Sequence, residues 1–156
     1  MNTKITEQEV IDIQKAWGDA IIKIGELYLK NEDYKLEAKK SIENLYAYDL
    51  GVVLFKPTMA SQRQFRVSEQ GALSYFIGDN EEYPEDAGFA LKPWTKIRWE
   101  NIGIKIEGNI ALAMGNYFFT PLEGDELKVE YTIGYQKDHN GDLQIILHDS
   151  HLPYSP

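Results

Sequence analysis

The chain of 156 residues contains no cysteine, which excludes disulfides, Cys-ligated zinc, iron–sulfur clusters and thiol nucleophiles. Basic side chains are also few: 16 Lys and Arg stand against 25 Asp and Glu, giving a formal net charge of −9. Nucleic acid and anionic membrane surfaces are therefore disfavoured as partners, because both bind basic patches. A small anionic substrate stays open, since a pocket can differ in sign from the whole molecule.

Long apolar runs are missing as well. No segment approaches the ~20 apolar residues that a transmembrane helix needs. The segment Met1–Glu9 is polar and acidic, unlike a signal peptide. We therefore expect a cytoplasmic protein, or a periplasmic one if an export signal has been removed.

What the chain does have is the composition of a globular protein. Apolar residues make up 43% of it, and there are ten Tyr, six Phe and three Trp, more aromatic residues than a disordered chain carries. We see no repeat, linker or low-complexity segment. The length and composition predict a single domain over residues 1–156.

Two helices are predicted at the start of the chain. Thr6 and Glu9 have the spacing of a capping box, and a stripe of apolar residues at intervals of three and four follows as far as Asn31. The stripe consists of Val10, Ile13, Trp17, Ile21, Ile24 and Tyr28. A second helix is expected from Asp33 to about Tyr46.

Strands dominate the rest of the chain. A short apolar run indicates a first strand, Ser68 is placed to cap a short helix through Phe76, and the acidic stretch Gly78–Asp86 is typical of an exposed loop. The expected strands are Leu50–Phe55, Thr95–Ile106 with a bulge at Gly103, Ile110–Thr120, Leu127–Tyr135 and Leu143–His151. This order predicts an α+β fold, with helices packed on one face of an antiparallel sheet.

Two acid–base residues end the last strand. Strict alternation places Asp149 and His151 on one face with Leu143 and Ile145, an arrangement suited to a general base whose imidazole is oriented by a carboxylate. The simpler interpretation is that residues near a strand end are solvated. Both interpretations stay open at the level of the sequence.

A metal site is not favoured by the three histidines. His139 lies in the hairpin turn, roughly 30 Å from His151 at ~3.3 Å per residue, so one chain cannot supply a three-His zinc site. A site made of His148, Asp149 and His151 fails because His148 faces the other way. We therefore predict no metal and no cofactor.

Hydroxyl groups are more plentiful. Thr58 follows the first strand and Tyr75 lies on the short helix, and together they are able to hydrogen-bond a small oxyanion. The alternative is a turn residue at Thr58 and a core tyrosine at Tyr75.

Taken together and in order, several segments resemble the bacterial iota-class carbonic anhydrases, a family related to the association domain of calcium/calmodulin-dependent protein kinase II. The segments are Leu54–Thr58, Gln64–Arg66, Ala72–Phe76, Gly88–Lys96, Met114–Thr120, Lys128–Thr132 and Leu152–Tyr154. The resemblance spans about residue 10 to the end of the chain.

The resemblance implies a cone-shaped, nuclear-transport-factor-2-like fold, in which a curved antiparallel sheet and a long helix enclose a pocket. It further implies a homodimer and the metal-independent, reversible hydration of carbon dioxide to bicarbonate. Threonine, tyrosine and serine hydroxyls bind the substrate in this family, and the first two fall on Thr58 and Tyr75.

The chain departs from the family at its last motif. The family pattern is similar to Leu-His-His-Ser-Ser-Leu-Pro-Tyr; His148 and Ser150 match it, whereas Asp149 replaces the second His and His151 replaces the final Ser. We expect that final position to contact the substrate. One hypothesis is that Asp149 and His151 form a pair that activates water; the other is that the pocket remains but the chemistry is lost.

The sequence thus predicts a catalytic set made of Thr58, Tyr75, Asp149, Ser150 and His151. Thr58, Tyr75 and His148 are expected to bind the substrate, which is carbon dioxide, bicarbonate or another small anion. Two alternatives remain: a non-catalytic ligand-binding or assembly module, and an enzyme for another small carbonyl or carboxylate substrate.

Overall fold

The structure, a computed structural model, describes residues 4–156. Met1, Asn2 and Thr3, which belong to the polar first segment, lie outside the described residues. The elements follow in this order: α1 Glu7–Leu29, α2 Tyr34–Leu45, β1 Leu54–Lys56, α3 Glu69–Ile77, β2 Lys96–Glu107, β3 Ile110–Thr120, β4 Leu127–Lys137 and β5 Leu143–His151. Short 3-10 turns cover Tyr48–Leu50 and Phe89–Leu91. The predicted α+β class is confirmed.

Helix α1 begins at the predicted capping box. The Thr6 hydroxyl accepts from the Glu9 amide at 3.2 Å, and the Glu9 carboxylate accepts from the Thr6 amide at 3.4 Å. The apolar stripe is buried as far as Ile24, whereas Tyr28 is 42% exposed and packs edge-on against Tyr34 near the end of the helix. No helix within residues 4–156 is both long and apolar enough to cross a membrane.

The five strands form one open sheet in the order β1-β5-β4-β3-β2. All neighbours are antiparallel except β1, which pairs in parallel with β5, Leu54 opposite Leu147. The prediction of a first strand over Leu50–Phe55 was therefore wrong in its bounds, and the parallel pairing of this strand departs from the expected antiparallel sheet. Gly51 adopts a φ of 133°, a backbone conformation that favours glycine, and it separates the 3-10 turn from the short edge strand.

Two bulges interrupt the sheet. The predicted one lies between Asn101 and Gly103 on β2, and a second lies opposite Gly134 and Tyr135, where β5 holds one extra residue. Bulges bend a strand and increase its twist, so the sheet curves around α1. The Trp17 ring of α1 packs into the concave face, 5.7 Å from Tyr117 between ring centroids.

A buried ion pair holds the loop between α3 and β2. The Arg66 guanidinium is fully buried and makes two hydrogen bonds to the Asp86 carboxylate, at 2.7 and 2.8 Å. Ser74 of α3 donates to the same carboxylate at 2.6 Å, and Arg66 lies 4.4 Å from the centroid of the Tyr83 ring. The expectation that Gly78–Asp86 is simply an exposed loop was therefore wrong at its far end. The pair joins this loop to the helix that carries Tyr75.

We expect the replacement Arg66→Met to lower the free energy of unfolding by about 3–5 kcal/mol, because it leaves the Asp86 carboxylate buried without a counter-charge. Urea denaturation followed by circular dichroism measures the loss. Arg98→Met is the matched control, since Arg98 pairs with Glu126 on the surface and both side chains are 37% exposed. Equal losses in the two variants would contradict the structural role of the Arg66–Asp86 pair.

Candidate active site

His148 and Ser150 reach the concave face of the sheet because of the bulge in β5. Tyr135 pairs with Ile145 and Gly134 with Leu147, so Ile146 is the extra residue. An extra residue reverses the side-chain alternation beyond it. His148 and Ser150 are consequently only 1% exposed.

Asp149 and His151 lie on the opposite, convex face. They stand across from Thr132 and Glu130 of β4, and their side chains are 42% and 46% exposed. The predicted pairing of the two residues is present, with 3.7 Å between His151 Nδ1 and Asp149 Oδ2, but His151 also contacts Glu130 at 3.1 Å. The prediction that these side chains share a face with Ile145 and line the pocket was wrong, because strict alternation was carried across the bulge.

Three hydroxyls converge on the concave side. Thr58, in the turn after β1, places its Oγ1 2.6 Å from Ser150 Oγ. Tyr75 of α3 accepts a hydrogen bond from the Met59 amide at 3.2 Å, so its hydroxyl lies beside the same turn. The structure therefore brings together Thr58, Tyr75, Ser150 and His148 of the predicted set, with Ser150 in the place expected for residue 151.

A chain of buried hydrogen bonds extends inward from Ser150. Its Oγ bonds to the Tyr117 hydroxyl, which lies 3.1 Å from His148 Nε2. His148 Nδ1 lies 2.8 Å from the Tyr46 hydroxyl, and Trp17 Nε1 donates to that hydroxyl at 3.0 Å. This series of hydrogen bonds thus links α1 and the end of α2 with β3 and β5.

Burial keeps this chain uncharged. It lowers the pKa of His148 to about 3, so the imidazole is neutral at physiological pH. Burial also raises the pKa values of the Tyr46, Tyr75 and Tyr117 phenols above their ordinary value. For Tyr75, hydrogen bonds with the Met59 amide and the Thr58 hydroxyl oppose the rise. All of these groups are therefore available as neutral donors and acceptors.

The hydroxyls surround a small cavity, whose volume accessible to the centre of a water molecule is about 10 Å³. That is room for about one water molecule. Aromatic rings and Pro57 form most of the remaining wall. The cavity is lined by Trp17, Phe55, Pro57, Thr58, Tyr75, Phe76, Phe89, Tyr117, His148 and Ser150.

A larger vestibule of about 220 Å³ adjoins the cavity. Tyr75 and Phe89 line both spaces and stack on each other, with their ring centroids 5.5 Å apart. Glu85 faces the vestibule, and hydrogen bonds from the backbone amides of Arg63, Ser61 and Gln62 lower its pKa to about 2. The two stacked rings therefore separate the small cavity from a larger space that the charged Glu85 faces.

The groups at the small cavity are poor metal ligands. One neutral imidazole and several hydroxyls face it, whereas a catalytic zinc site uses three imidazole, thiolate or carboxylate ligands. Among residues 4–156, no three His, Asp or Glu side chains are grouped so that they could hold a metal ion.

Sequence reasoning missed three members of the hydrogen-bonded chain. Trp17 belongs to the apolar stripe of α1, Tyr46 ends α2, and Tyr117 alternates with Phe119 on β3, so each has the pattern of an ordinary core aromatic. The one general signal is that a buried tyrosine or tryptophan needs a hydrogen-bond partner for its polar atom. No local signal shows that the three meet at His148.

The fold defines the class of protein. A nuclear transport factor 2-like superfamily protein from Salmonella enterica serovar Typhimurium aligns with a TM-score of 0.57 at 15% identity, over 95% of this chain and 91% of the other. At that identity the likeness concerns the fold alone. The expected nuclear-transport-factor-2-like architecture is confirmed.

The family follows from closer relatives. A family model described as "Metal-independent carbonic anhydrase" matches residues 8–152. A protein of that name from Nostoc sp. (strain PCC 7120) is 46% identical over 99% of this chain and 77% of its own length. The crystal structure of a cyanobacterial iota-carbonic anhydrase complexed with bicarbonate aligns with a TM-score of 0.96 at 45% identity, over 100% of this chain and 97% of the other. The chain belongs to the metal-independent carbonic anhydrase family.

The buried imidazole has a consequence for acid stability. The folded-state pKa of His148 is below its unfolded value of about 6.5, so the unfolded chain binds this proton first as the pH falls. The contribution of neutral His148 to the free energy of unfolding is complete above its unfolded-state pKa of about 6.5. Below that pH it declines by up to about 1.4 kcal/mol per pH unit, toward pH 3. We expect the variant His148→Gln to lose stability less steeply than the wild type below pH 6, as measured by urea unfolding at several pH values.

His139→Gln is the control for this measurement, because His139 is exposed in the turn between β4 and β5. Its unfolding free energy should follow the wild-type slope. A wild-type slope in His148→Gln as well would show that His148 does not stay neutral in the folded protein.

Proposed function

We propose that this protein catalyses the reversible hydration of carbon dioxide to bicarbonate, with Thr58, Tyr75 and Ser150 as the groups that contact the substrate. The observation that carries the proposal is the convergence of three hydroxyls on a small cavity walled by aromatic rings. Membership of the family and the likeness to the bicarbonate-bound relative support it.

The small cavity has room for about one water molecule, so we place the attacking water there and carbon dioxide beside it, against the stacked rings of Tyr75 and Phe89. Carbon dioxide carries no charge, so contact with aromatic rings costs it little desolvation. In the hydration step, a water oxygen forms a bond to the carbon and one C=O electron pair moves to an oxygen. Donated hydrogen bonds from Thr58 and Tyr75 stabilise the negative charge that develops there. The water gives up one proton, and the products are bicarbonate and that proton.

The proton has to leave on the vestibule side. His148 is too weak a base to keep it at neutral pH, because burial lowers the pKa of its imidazole to about 3. Trp17, at the inner end of the hydrogen-bonded chain, has no acceptor site at its Nε1. Tyr75 and Phe89 stand between the cavity and the open vestibule, so we assign the exit of the proton and of bicarbonate to this side. Asp149 and His151 receive no catalytic role, because they lie on the convex face.

Stopped-flow measurement of carbon dioxide hydration tests the proposal on metal-stripped protein, with added zinc as a second condition. We expect kcat/KM to fall by about 100-fold or more in Ser150→Ala, because the variant removes one of the hydroxyls at the cavity and also the hydrogen bond that holds Thr58 there. His151→Ser, one residue away on the opposite face, is the matched control and should keep the wild-type rate. A wild-type protein without activity in either condition would favour a non-catalytic ligand-binding module.

We further propose a homodimer that forms through the convex face of the sheet. Leu54, Leu147 and Leu112 follow one another across β1, β5 and β3, and Gly134 of β4 lets Leu147 and Leu112 approach each other above it. Leu54 is 59% and Leu112 43% exposed in the single chain. A row of exposed leucines on a sheet is typical of a surface that a partner covers.

Sedimentation velocity tests the dimer. We expect the wild type to sediment as a dimer and Leu112→Asp as a monomer, because a carboxylate would have to be buried in the interface. Leu36→Asp is the control: Leu36 is similarly exposed, at 47%, but lies in the first turn of α2 and not on a strand. A wild-type monomer at all concentrations would contradict the proposal.

A further inference from the structure

The buried hydrogen-bonded chain has a fixed starting point. The indole Nε1–H of Trp17 is a donor only, and it donates to the hydroxyl of Tyr46. We propose that Trp17 and Tyr46 are positioning residues that set the direction of every hydrogen bond from His148 to Thr58, so that the cavity receives O–H donors. The consequence for catalysis rests on the proposed function, whereas the direction of the hydrogen bonds does not depend on it.

The first step concerns the tautomer of His148. Tyr46 is 2% exposed, so its hydroxyl proton needs a partner inside the protein. Trp17 cannot accept it, and within residues 4–156 the other hydrogen-bond partner of this hydroxyl is His148 Nδ1, at 2.8 Å. Tyr46 therefore donates to Nδ1, and the imidazole proton resides on Nε2.

The second step carries the direction to the cavity. His148 Nε2–H donates to Tyr117, Tyr117 then donates to Ser150, and Ser150 donates to Thr58. The Thr58 proton is left to point into the cavity or to the hydroxyl of Tyr75. Tyr75 already accepts from the Met59 amide, so its own proton also remains available. In either case the chain ends in an O–H that faces the cavity.

The reverse direction leaves a buried donor unpaired. If His148 carried its proton on Nδ1, the Tyr46 hydroxyl would accept from both Trp17 and His148. The hydroxyl proton of Tyr46 would then have no acceptor among the hydrogen bonds within residues 4–156. Tyr117, Ser150 and Thr58 would then all donate inward. Thr58 would present a lone pair to the cavity in place of a proton.

The two directions have opposite effects on the reaction. Donors at the cavity stabilise the negative charge that grows on a carbon dioxide oxygen, and they bind bicarbonate. A lone pair of Thr58 in place of its proton would repel both that charge and bicarbonate. Trp17 is four hydrogen bonds away from Ser150, through Tyr46, His148 and Tyr117. It therefore decides whether Thr58 presents a proton or a lone pair to the cavity.

Nuclear magnetic resonance of protein labelled with ¹⁵N-histidine tests the direction on the ligand-free protein. We expect the wild type to show the Nε2–H tautomer of His148, with the signal assigned by its loss in His148→Gln. In Trp17→Phe the hydroxyl of Tyr46 is free to donate or to accept, so the Nδ1–H tautomer should become detectable. Tyr46→Phe, which keeps the indole, should also reduce the Nε2–H population.

Activity supplies the second readout. If only the proposed direction is productive, kcat/KM falls in proportion to the Nε2–H population that remains in each variant. Trp99→Phe is the matched control: Trp99 packs 5.7 Å from Trp17, and its Nε1 has no hydrogen-bond partner in the described part of the chain. It should leave both the tautomer and kcat/KM unchanged.

Two results would overturn the inference: an Nδ1–H tautomer in the wild type, or a Trp17→Phe variant that keeps the wild-type tautomer. The failure of the proposed function looks different. If the wild type shows the Nε2–H tautomer but does not hydrate carbon dioxide, the proposed hydrogen-bond direction holds and the proposed function fails.

Discussion

The need to satisfy a buried imidazole governs the interior of this protein. His148 is almost fully buried, so each of its ring nitrogens requires a hydrogen-bond partner. Tyr46 and Tyr117 supply these partners from two different elements, and Trp17 and Ser150 extend the arrangement at its two ends. Because removal of any member leaves a buried polar atom unpaired, the network fixes the positions of the side chains at the cavity.

A second buried polar group supports the cavity from outside. The Arg66–Asp86 pair joins the segment after β1 to α3 and to the loop that follows it. Thr58 comes shortly before this segment and Tyr75 lies on α3, so the pair helps to hold the two hydroxyls at a fixed distance. A buried ion pair contributes little net stability but is costly to break. It therefore suits a segment that has to keep Thr58 and Tyr75 in fixed positions.

Local signals allowed much of the fold to be predicted, because capping boxes, apolar stripes and turn residues act within a few positions. Thr6 caps α1, Ser68 caps α3, and the hairpin turn that contains His139 joins β4 to β5, all as expected. Features that depend on distant partners were not predictable. The parallel pairing of β1 and the burial of Asp86 belong to this group, and so does the extra residue Ile146 in β5. That one residue moved Ser150 into the cavity and His151 out of it, and it accounts for the main error in the predicted site.

The central claim is that neutral hydroxyls in a small aromatic cavity interconvert carbon dioxide and bicarbonate. The most direct measurement is the exchange of ¹⁸O from labelled bicarbonate into water, followed by mass spectrometry of dissolved carbon dioxide at chemical equilibrium. It needs no pH indicator and no net reaction, and it can be performed on protein stripped of metal. We expect the loss of label to accelerate in proportion to the protein concentration. A rate of loss equal to that of buffer alone would contradict the central claim.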